Sequence, residues 1–212
     1  MLFNAANCDL FDAVRPIKWV DPEVDGDDCY DILVIGAGAG GLVTAAQSRG
    51  KGAKVCLIER GFMGGDCLNT GCVPSKAFLK SCSVAHNARN AFKYGVKIKG
   101  EIEIDFEGIM ARMREIRAEI SDNDSAERFA KNLGVDVFLG HAHFTSPNTA
   151  EVNGKTLKFL KACIATGGRP WVPPIEGLDT VKYHTSDNIF NLQTLPENML
   201  IIGSGPIGCE LG

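Results

Sequence analysis

Of the eight cysteines in this 212-residue chain, Cys67 and Cys72 stand closest together, separated by Leu68-Asn69-Thr70-Gly71. Two thiols at that offset can close a disulfide if the segment opens a helix. A disulfide needs Cα atoms within about 7 Å, and a near-helical offset of five can be adjusted to give this. A helix N-terminus also favours a thiolate there, lowering its pKa. Gly64 and Gly65 let the backbone approach a flat ligand, and Pro74 suits a first helical turn, where no N–H is needed. The pair thus suggests a redox dithiol. Two other uses of cysteine compete with it: packing in a core, or half of a zinc site. Zinc would want a second Cys or His pair at short spacing. His141-Ala142-His143 is the local candidate, about 70 residues further on and behind a strand.

The second chemical feature is Gly36-Ala37-Gly38-Ala39-Gly40-Gly41. It follows the apolar run Ile32-Leu33-Val34-Ile35 and opens a small-residue helix, Leu42 to Arg49. Glycine at 36 permits a tight turn. Glycine at 38 lets the backbone approach a pyrophosphate seated on the helix N-terminus, and glycine at 41 lets helix and strand pack closely. Glu59 closes the next strand, Lys54 to Ile58, at the spacing of a carboxylate that accepts hydrogen bonds from ribose hydroxyls. Ala39 and Gly40 in the turn, and Arg60 beside Glu59, are counted in the same candidate site. A glycine-rich turn without a ligand is the plainer alternative, but strand, turn, helix and acid agree on a dinucleotide. The glycines alone do not choose between FAD and NAD.

These features must be held by an α/β fold. The β-branched runs at 32–35 and 54–58 read as buried parallel strands, with Gly50 and Gly52 ending the helix between them. Helical spacing recurs from Lys76 to Phe92 and again from Asp105 to Leu133. In the second stretch Ile109, Met113, Ile116 and Ile120 mark the apolar face, with Arg112, Arg114, Glu115, Arg117 and Glu119 mostly off it. Ser121-Asp122-Asn123-Asp124 is expected to break that helix. Val135 to Leu139 is a third strand. Short strands follow at 149–152 and 156–160 around Asn153-Gly154, a hairpin signal because both turn positions need φ > 0. Ala162 to Ala165 is a further strand, closed by Thr166-Gly167-Gly168.

The expected division is an irregular leader at 1–28, a dinucleotide-binding domain at 29–170, a proline-rich connector at 171–197 and the start of a second unit at 198–212. That second unit repeats the first: Met199-Leu200-Ile201-Ile202, then Gly203-Ser204-Gly205-Pro206-Ile207-Gly208. Its helix is cut after about one turn, too short to be stable alone, so the chain is expected to be a fragment of a longer protein. Trp19 is a candidate anchor for the leader. Cys29, Cys56, Cys163 and Cys209 read as small core residues in or beside apolar strands.

A net charge of −4 gives no electrostatic case for nucleic acid or an anionic membrane as partner. No apolar run approaches the roughly 20 residues of a membrane span. With no secretory signal, a reducing compartment such as the cytoplasm is expected. A mitochondrial or plastid location is the alternative, if residues 1–28 hide a targeting segment.

The stretch Gly64-Gly65-Asp66-Cys67-Leu68-Asn69-Thr70-Gly71-Cys72-Val73-Pro74-Ser75-Lys76 closely resembles the signature of the pyridine nucleotide-disulfide oxidoreductases. That family includes dihydrolipoamide dehydrogenase, glutathione reductase and mercuric reductase, and the resemblance runs from 30 to 212. It implies a Rossmann-like FAD-binding domain of parallel strands and helices with an added antiparallel β-meander, followed by a Rossmann NAD(P)H-binding domain. Cys72 would be the charge-transfer thiolate against the flavin, and Cys67 would exchange with substrate. Lys76 would lie near the flavin and pair with Glu210. Gly65 and Asp66 would help hold FAD, although family members more usually carry threonine at the Asp66 position. His141 and Ala142 would meet the adenine, and Ala165, Thr166 and Gly167 would close over the cofactor. Gly203, Gly205 and Gly208 would form the NAD(P)H fingerprint.

The resemblance implies that electrons run from NAD(P)H through FAD and the Cys67–Cys72 disulfide to a small-molecule disulfide or a metal ion as substrate, in a homodimer. No resident metal is expected. Two alternatives have a discriminating feature each. A non-catalytic FAD-binding module would lack the C-terminal histidine and dimerisation domain that the family uses. An ordinary NAD-linked dehydrogenase would leave the cysteine pair between two glycine fingerprints without a purpose.

Overall fold

The computed structural model of the chain describes residues 4–26 and 28–212. Its strands are β1 (Cys29–Ile35), β2 (Val55–Glu59), β3 (Asp136–Leu139), β4 (His143–Ser146), β5 (Thr149–Val152) and β6 (Lys155–Ile164). They form one six-stranded sheet in the order β3-β2-β1-β6-β5-β4. β3, β2, β1 and β6 run parallel, and β6, β5 and β4 run antiparallel as a meander. The chain therefore has the α/β architecture of a Rossmann-like FAD-binding domain.

Register decides where a ligand can sit. Ile35 pairs with Ile58 on one side and Ile164 on the other, and Glu59 pairs with Leu139. All four parallel strands thus end on one edge, and Gly36, Arg60, Gly140 and Ala165 leave it side by side. Ligands of open parallel sheets bind at that carboxyl edge.

Alternate residues of the strands divide into two cores, as the period of two requires. Val34, Val55, Leu57 and Val137 face one core with Leu42 and Ala45 of helix α2 (Ala39–Gly50). Leu33, Cys56, Ile58 and Phe138 face the other, with Ala150, Val152, Leu157 and Phe159 of the meander. The runs at 32–35 and 55–58 are apolar throughout because both their faces are covered.

Asn153 (φ 49°) and Gly154 (φ 77°) make the tight turn between β5 and β6. The stretches 156–160 and 162–165, expected as separate strands, are one strand. β6 pairs with β5 as far as Lys158 and with β1 from Lys158 to Ile164, so its backbone changes partner without a break.

The leader at 1–28 is corrected. Ala5–Val14 is a helix, α1, whose N-cap Asn4 accepts a hydrogen bond from the Asn7 N–H at 2.8 Å. Asn7, Leu10 and Val14, spaced by three and four, are its buried face, and Leu10 and Val14 are fully buried in the first core. Three inward residues among Asn, Asp and Pro are a faint signal in sequence. Trp19 anchors the segment, its indole N–H donating to the Val137 carbonyl at 3.1 Å.

Two helices carry the cysteines: the five-residue α3 (Gly65–Asn69) and the start of α4 (Cys72–Asn90). Helix α5 (Phe106–Asp124) is capped by Asp105 and stops where Ser125 turns extended, just past the expected break; a π-helical turn follows at Arg128–Asn132. Its buried residues are Met110, Met113, Arg114, Arg117 and Ser121. The face is rotated from the expected one, and two arginines lie on it. Their guanidinium groups are buried because backbone carbonyls receive them: Leu192 for Arg114 at 3.3 Å, Asn69 for Arg117 at 2.8 Å.

Residues 171–197 hold only 3-10 turns, at Leu178–Thr180 and Ile189–Asn191. The expected strand at 199–202 is also corrected. No strand among the described residues pairs with it, and its side chains are exposed. It leads through Gly203 (φ 110°) into helix α6 (Pro206–Leu211). Of the cysteines read as core, Cys56 is buried and Cys163 half-buried, but Cys29 and Cys209 are exposed. They stand at the first residue of a strand and on the outer side of a short helix.

Candidate functional site

At the carboxyl edge of the sheet lies a cavity of about 310 Å³. Its lining brings together Gly36, Glu59, Arg60, His141, Ala142, Thr166 and Gly167, seven of the residues singled out by sequence. Ile35, Ile58, Gly140, Gly168 and Arg169 complete it. The Glu59 carboxylate sits beneath the glycine turn. One oxygen accepts from the Ala37 N–H at 2.6 Å and the other from the Gly61 N–H at 2.5 Å. An ionised carboxylate offers about four lone-pair sites, so hydrogen-bonding capacity remains for a ligand's hydroxyls.

The turn itself is built for close approach. A Cβ on Gly41 would lie 1.7 Å from the Gly36 carbonyl oxygen, and one on Gly36 2.3 Å from the Ala165 carbonyl oxygen. Helix α2 therefore meets the Gly36 turn backbone to backbone, and that turn meets Ala165 backbone to backbone. Gly38, the N-cap of α2, is different: a Cβ there would meet nothing nearer than 3.7 Å. It opens onto space at the helix N-terminus, where unpaired N–H groups favour an anion. Gly167 likewise has nothing within 4 Å, and Ala39 and Gly40 are exposed beside the turn.

The cysteine loop adjoins this turn. A Cβ on Gly65 (φ 56°) would come within 2.5 Å of the Gly38 Cα, and the Gly64 N–H donates to the Ala37 carbonyl at 2.8 Å. Asp66 is exposed in the first turn of α3. Cys67 is half-buried in α3, and Cys72 is exposed at the first residue of α4, capped by Gly71. Both are free thiols. Burial pushes the Cys67 thiol up to about 11, helped by the neighbouring Cys72 and by Asp124. Cys67 lies within the five-residue helix α3, and the longer helix α4 begins at Cys72.

Lys76 and Glu210 meet across 134 positions of sequence. Lys76 Nζ donates to both Glu210 oxygens, at 3.0 and 3.1 Å. Leu211 packs beside Ala77, Met110, Met113 and Phe190, which seats α6 against α4. Gly208 repeats the role of Gly41, since a Cβ there would lie 2.9 Å from the Gly203 carbonyl oxygen. Gly203, Gly205 and Gly208 are not among the residues lining the cavity.

Three residues of this region were not singled out by sequence. Asn69 donates to the Met63 and Gly65 carbonyls at 3.0 and 2.8 Å and so closes the loop before the cysteines. Arg117 donates to the Asn69 carbonyl and to Asn7 Oδ1, and Arg15 donates to the Glu59 and Gly61 carbonyls. For Arg117 a signal existed: it falls on the helical row that runs through Met110, Met113 and Ser121. Among the described residues no cluster of three or more His, Cys, Asp or Glu is placed to hold a metal ion. No helix among them is long and apolar enough to cross a membrane.

A family described as "Pyridine nucleotide-disulphide oxidoreductase" matches residues 30–212. The chain belongs to this family of flavoprotein oxidoreductases. It is 38% identical to a dihydrolipoyl dehydrogenase of Acholeplasma laidlawii, over 85% of this chain and 54% of that protein. It is 36% identical to a mercuric reductase of Lysinibacillus sphaericus, over 88% of this chain and 34% of that protein. A Streptomyces lividans mercuric reductase is 37% identical, with coverage of 85% and 39%. The chain thus spans about half or less of the length of these relatives.

Proposed function

We propose that this chain forms the FAD-binding and redox-disulfide part of an NAD(P)H-dependent oxidoreductase whose substrate is a small disulfide or a metal ion. The observation that carries this reading is the contact between two loops. The glycine turn above Glu59 and the loop that opens the cysteine helices touch backbone to backbone at Gly38 and Gly65. One extended dinucleotide could therefore reach from the cavity to the cysteines.

The residues present fit FAD. Glu59 would hold the ribose, with His141, Ala142 and Arg60 around the adenine end. The N-terminus of α2 at Gly38 would take the pyrophosphate. Lys76 and Cys72 would face the ring system. Bound there, FAD would supply two-electron chemistry that connects a nicotinamide to the cysteines. Lys76 and Glu210 hold each other, which fixes a positive charge beside α4. NAD(P)H would bind at the second glycine turn, Gly203 to Gly208, and the whole protein would work as a homodimer.

The cysteines act on substrate by thiol–disulfide exchange. A Cys67 thiolate attacks one sulfur of the substrate disulfide, forming a mixed disulfide and releasing the first thiolate, which takes up a proton. A Cys72 thiolate then attacks the Cys67 sulfur, releases the second thiol and closes the Cys67–Cys72 disulfide. Two electrons leave the pair and both substrate sulfurs are reduced. Because the Cys67 thiol is held up at about 11, the attack requires a neighbouring base to take its proton near neutral pH.

The test is the visible spectrum of Cys72→Ser beside that of the parent chain, each loaded with FAD and half-reduced. The parent should show a long-wavelength band that the variant lacks, with FAD bound by both. An unchanged band in the variant overturns the assignment of Cys72.

A further inference from the structure

Four contacts converge on the loop from Glu59 to Asn69, which carries the ribose carboxylate at one end and Cys67 near the other. Arg15 donates from one guanidinium nitrogen to the Glu59 and Gly61 carbonyls, both at 3.2 Å. The Met63 N–H donates to the Val14 carbonyl at 3.0 Å. The Phe11 and Phe62 rings meet edge to face with centroids 5.8 Å apart. Arg117, 3% exposed, bridges the other end, donating to the Asn69 carbonyl at 2.8 Å and to Asn7 Oδ1 at 2.6 Å. Every partner on the far side, except Arg117 itself, belongs to α1 or to Arg15, the residue that ends it. All of these lie before residue 30, where the family match begins.

We infer that α1 is a splint for the cofactor and redox loop, and that Arg117 and Arg15 are positioning residues for Cys67 and Glu59. The inference rests on the proposed function but concerns residues which that reading does not use. Physically, a five-residue helix cannot hold its own geometry. Helix α3 ends at Asn69, whose carbonyl is one of the orphan acceptors of a helix C-terminus. A guanidinium bonded to that carbonyl satisfies it and carries positive charge to the end of the helix that favours it. Asn69 passes the restraint back to the Met63 and Gly65 carbonyls. Rotation of α3 would break this chain of bonds, so the direction of the Cys67 side chain is set from α1 and α5.

The test measures the reactivity of Cys67 in the full chain, without FAD. Asn7→Ala removes the acceptor opposite Asn69, Asn7→Asp keeps an oxygen there, and Arg15→Gln loosens the other end. Iodoacetamide alkylation of Cys67 is followed by mass spectrometry from pH 7 to pH 11, with exposed Cys82 as internal reference. The groups acting on Cys67 are Cys72 and Asp124, and none of the substitutions alters them. Release of α3 would bring the Cys67 thiol down from about 11 towards the ordinary value of about 8.5, raising its alkylation at pH 8 at least tenfold. That rise is expected in Asn7→Ala, with most of it reversed in Asn7→Asp and Cys82 unchanged. In a separate FAD titration, Arg15→Gln should weaken FAD binding more than it changes Cys67 reactivity. If Asn7→Ala fails to fold, Arg117→Lys, which keeps the charge and loses the fork, carries the same expectation. Cys67 alkylation within twofold of the parent in the folded variants overturns the splint. A parent chain in which Cys67 and Cys72 form no disulfide under mild oxidation contradicts the proposed function instead, and the two failures are distinct.

Discussion

Substitutions at Gly41 and Gly38 of the glycine turn should separate folding from binding. In Gly41→Ala the new methyl would lie 1.7 Å from the Gly36 carbonyl oxygen and 2.9 Å from its carbon. That oxygen cannot swing away, because Gly36 is itself wedged against the Ala165 carbonyl. Relief requires moving α2 off β1, which would open the core around Leu42 and Ala45. Overpacking of this kind costs about 3 kcal/mol or more, which is roughly 6–12 °C of Tm for a chain of this size. Gly38→Ala meets nothing closer than 3.7 Å, and Gly38 has an extended backbone, so it should lose at most about 1 kcal/mol as a poorer N-cap. The methyl would stand where the backbone must approach a pyrophosphate, so FAD binding should fall at least about a hundredfold. Differential scanning fluorimetry and FAD titration of both variants decide the matter. Melting of Gly41→Ala within about 2 °C of the parent, or FAD binding by Gly38→Ala as tight as the parent's, would contradict these assignments.

Other expectations are more local. Leu10→Ala empties a fully buried position in the first core and should cost about 2–5 kcal/mol by urea denaturation; a change under about 0.5 kcal/mol would mean that α1 does not belong to the core. Glu210→Gln removes an ion pair whose side chains are 65% and 36% exposed, so stability should shift by less than about 1 kcal/mol, and any large effect should appear in catalysis by the whole protein. Burial first, then Cys56 and Asp136, hold the Tyr30 phenol well above its ordinary range. The folded state keeps that proton after the unfolded chain has lost it, so stability is full below about pH 10 and falls above it by up to about 1.4 kcal/mol per pH unit. Urea midpoints between pH 9 and 11 should decline less steeply in Tyr30→Phe; equal slopes would contradict the assignment.

The sheet and its carboxyl edge were legible because unbroken apolar runs, a glycine turn and a terminal acid are local patterns. The Asn153-Gly154 turn was legible for the same reason. What escaped was set by tertiary contact. Arg114 and Arg117 look like solvent-facing charges until carbonyls from other segments receive them. Helix α1 shows only three inward residues, and one of them is Asn7. The 199–202 run has strand composition, but strand formation depends on a paired neighbour, which composition does not supply. At the site, the cysteine spacing pointed to a redox pair, while the raised Cys67 thiol follows first from burial, which only tertiary packing sets.

The most direct test of the central claim is an anaerobic dithionite titration of the FAD-loaded chain, followed in the visible range. A flavin and a working Cys67–Cys72 disulfide each take two electrons, so uptake of about four per flavin is predicted, with a long-wavelength band rising midway. Uptake of about two electrons with no such band would show that the cysteines are not a redox pair, and would contradict the account.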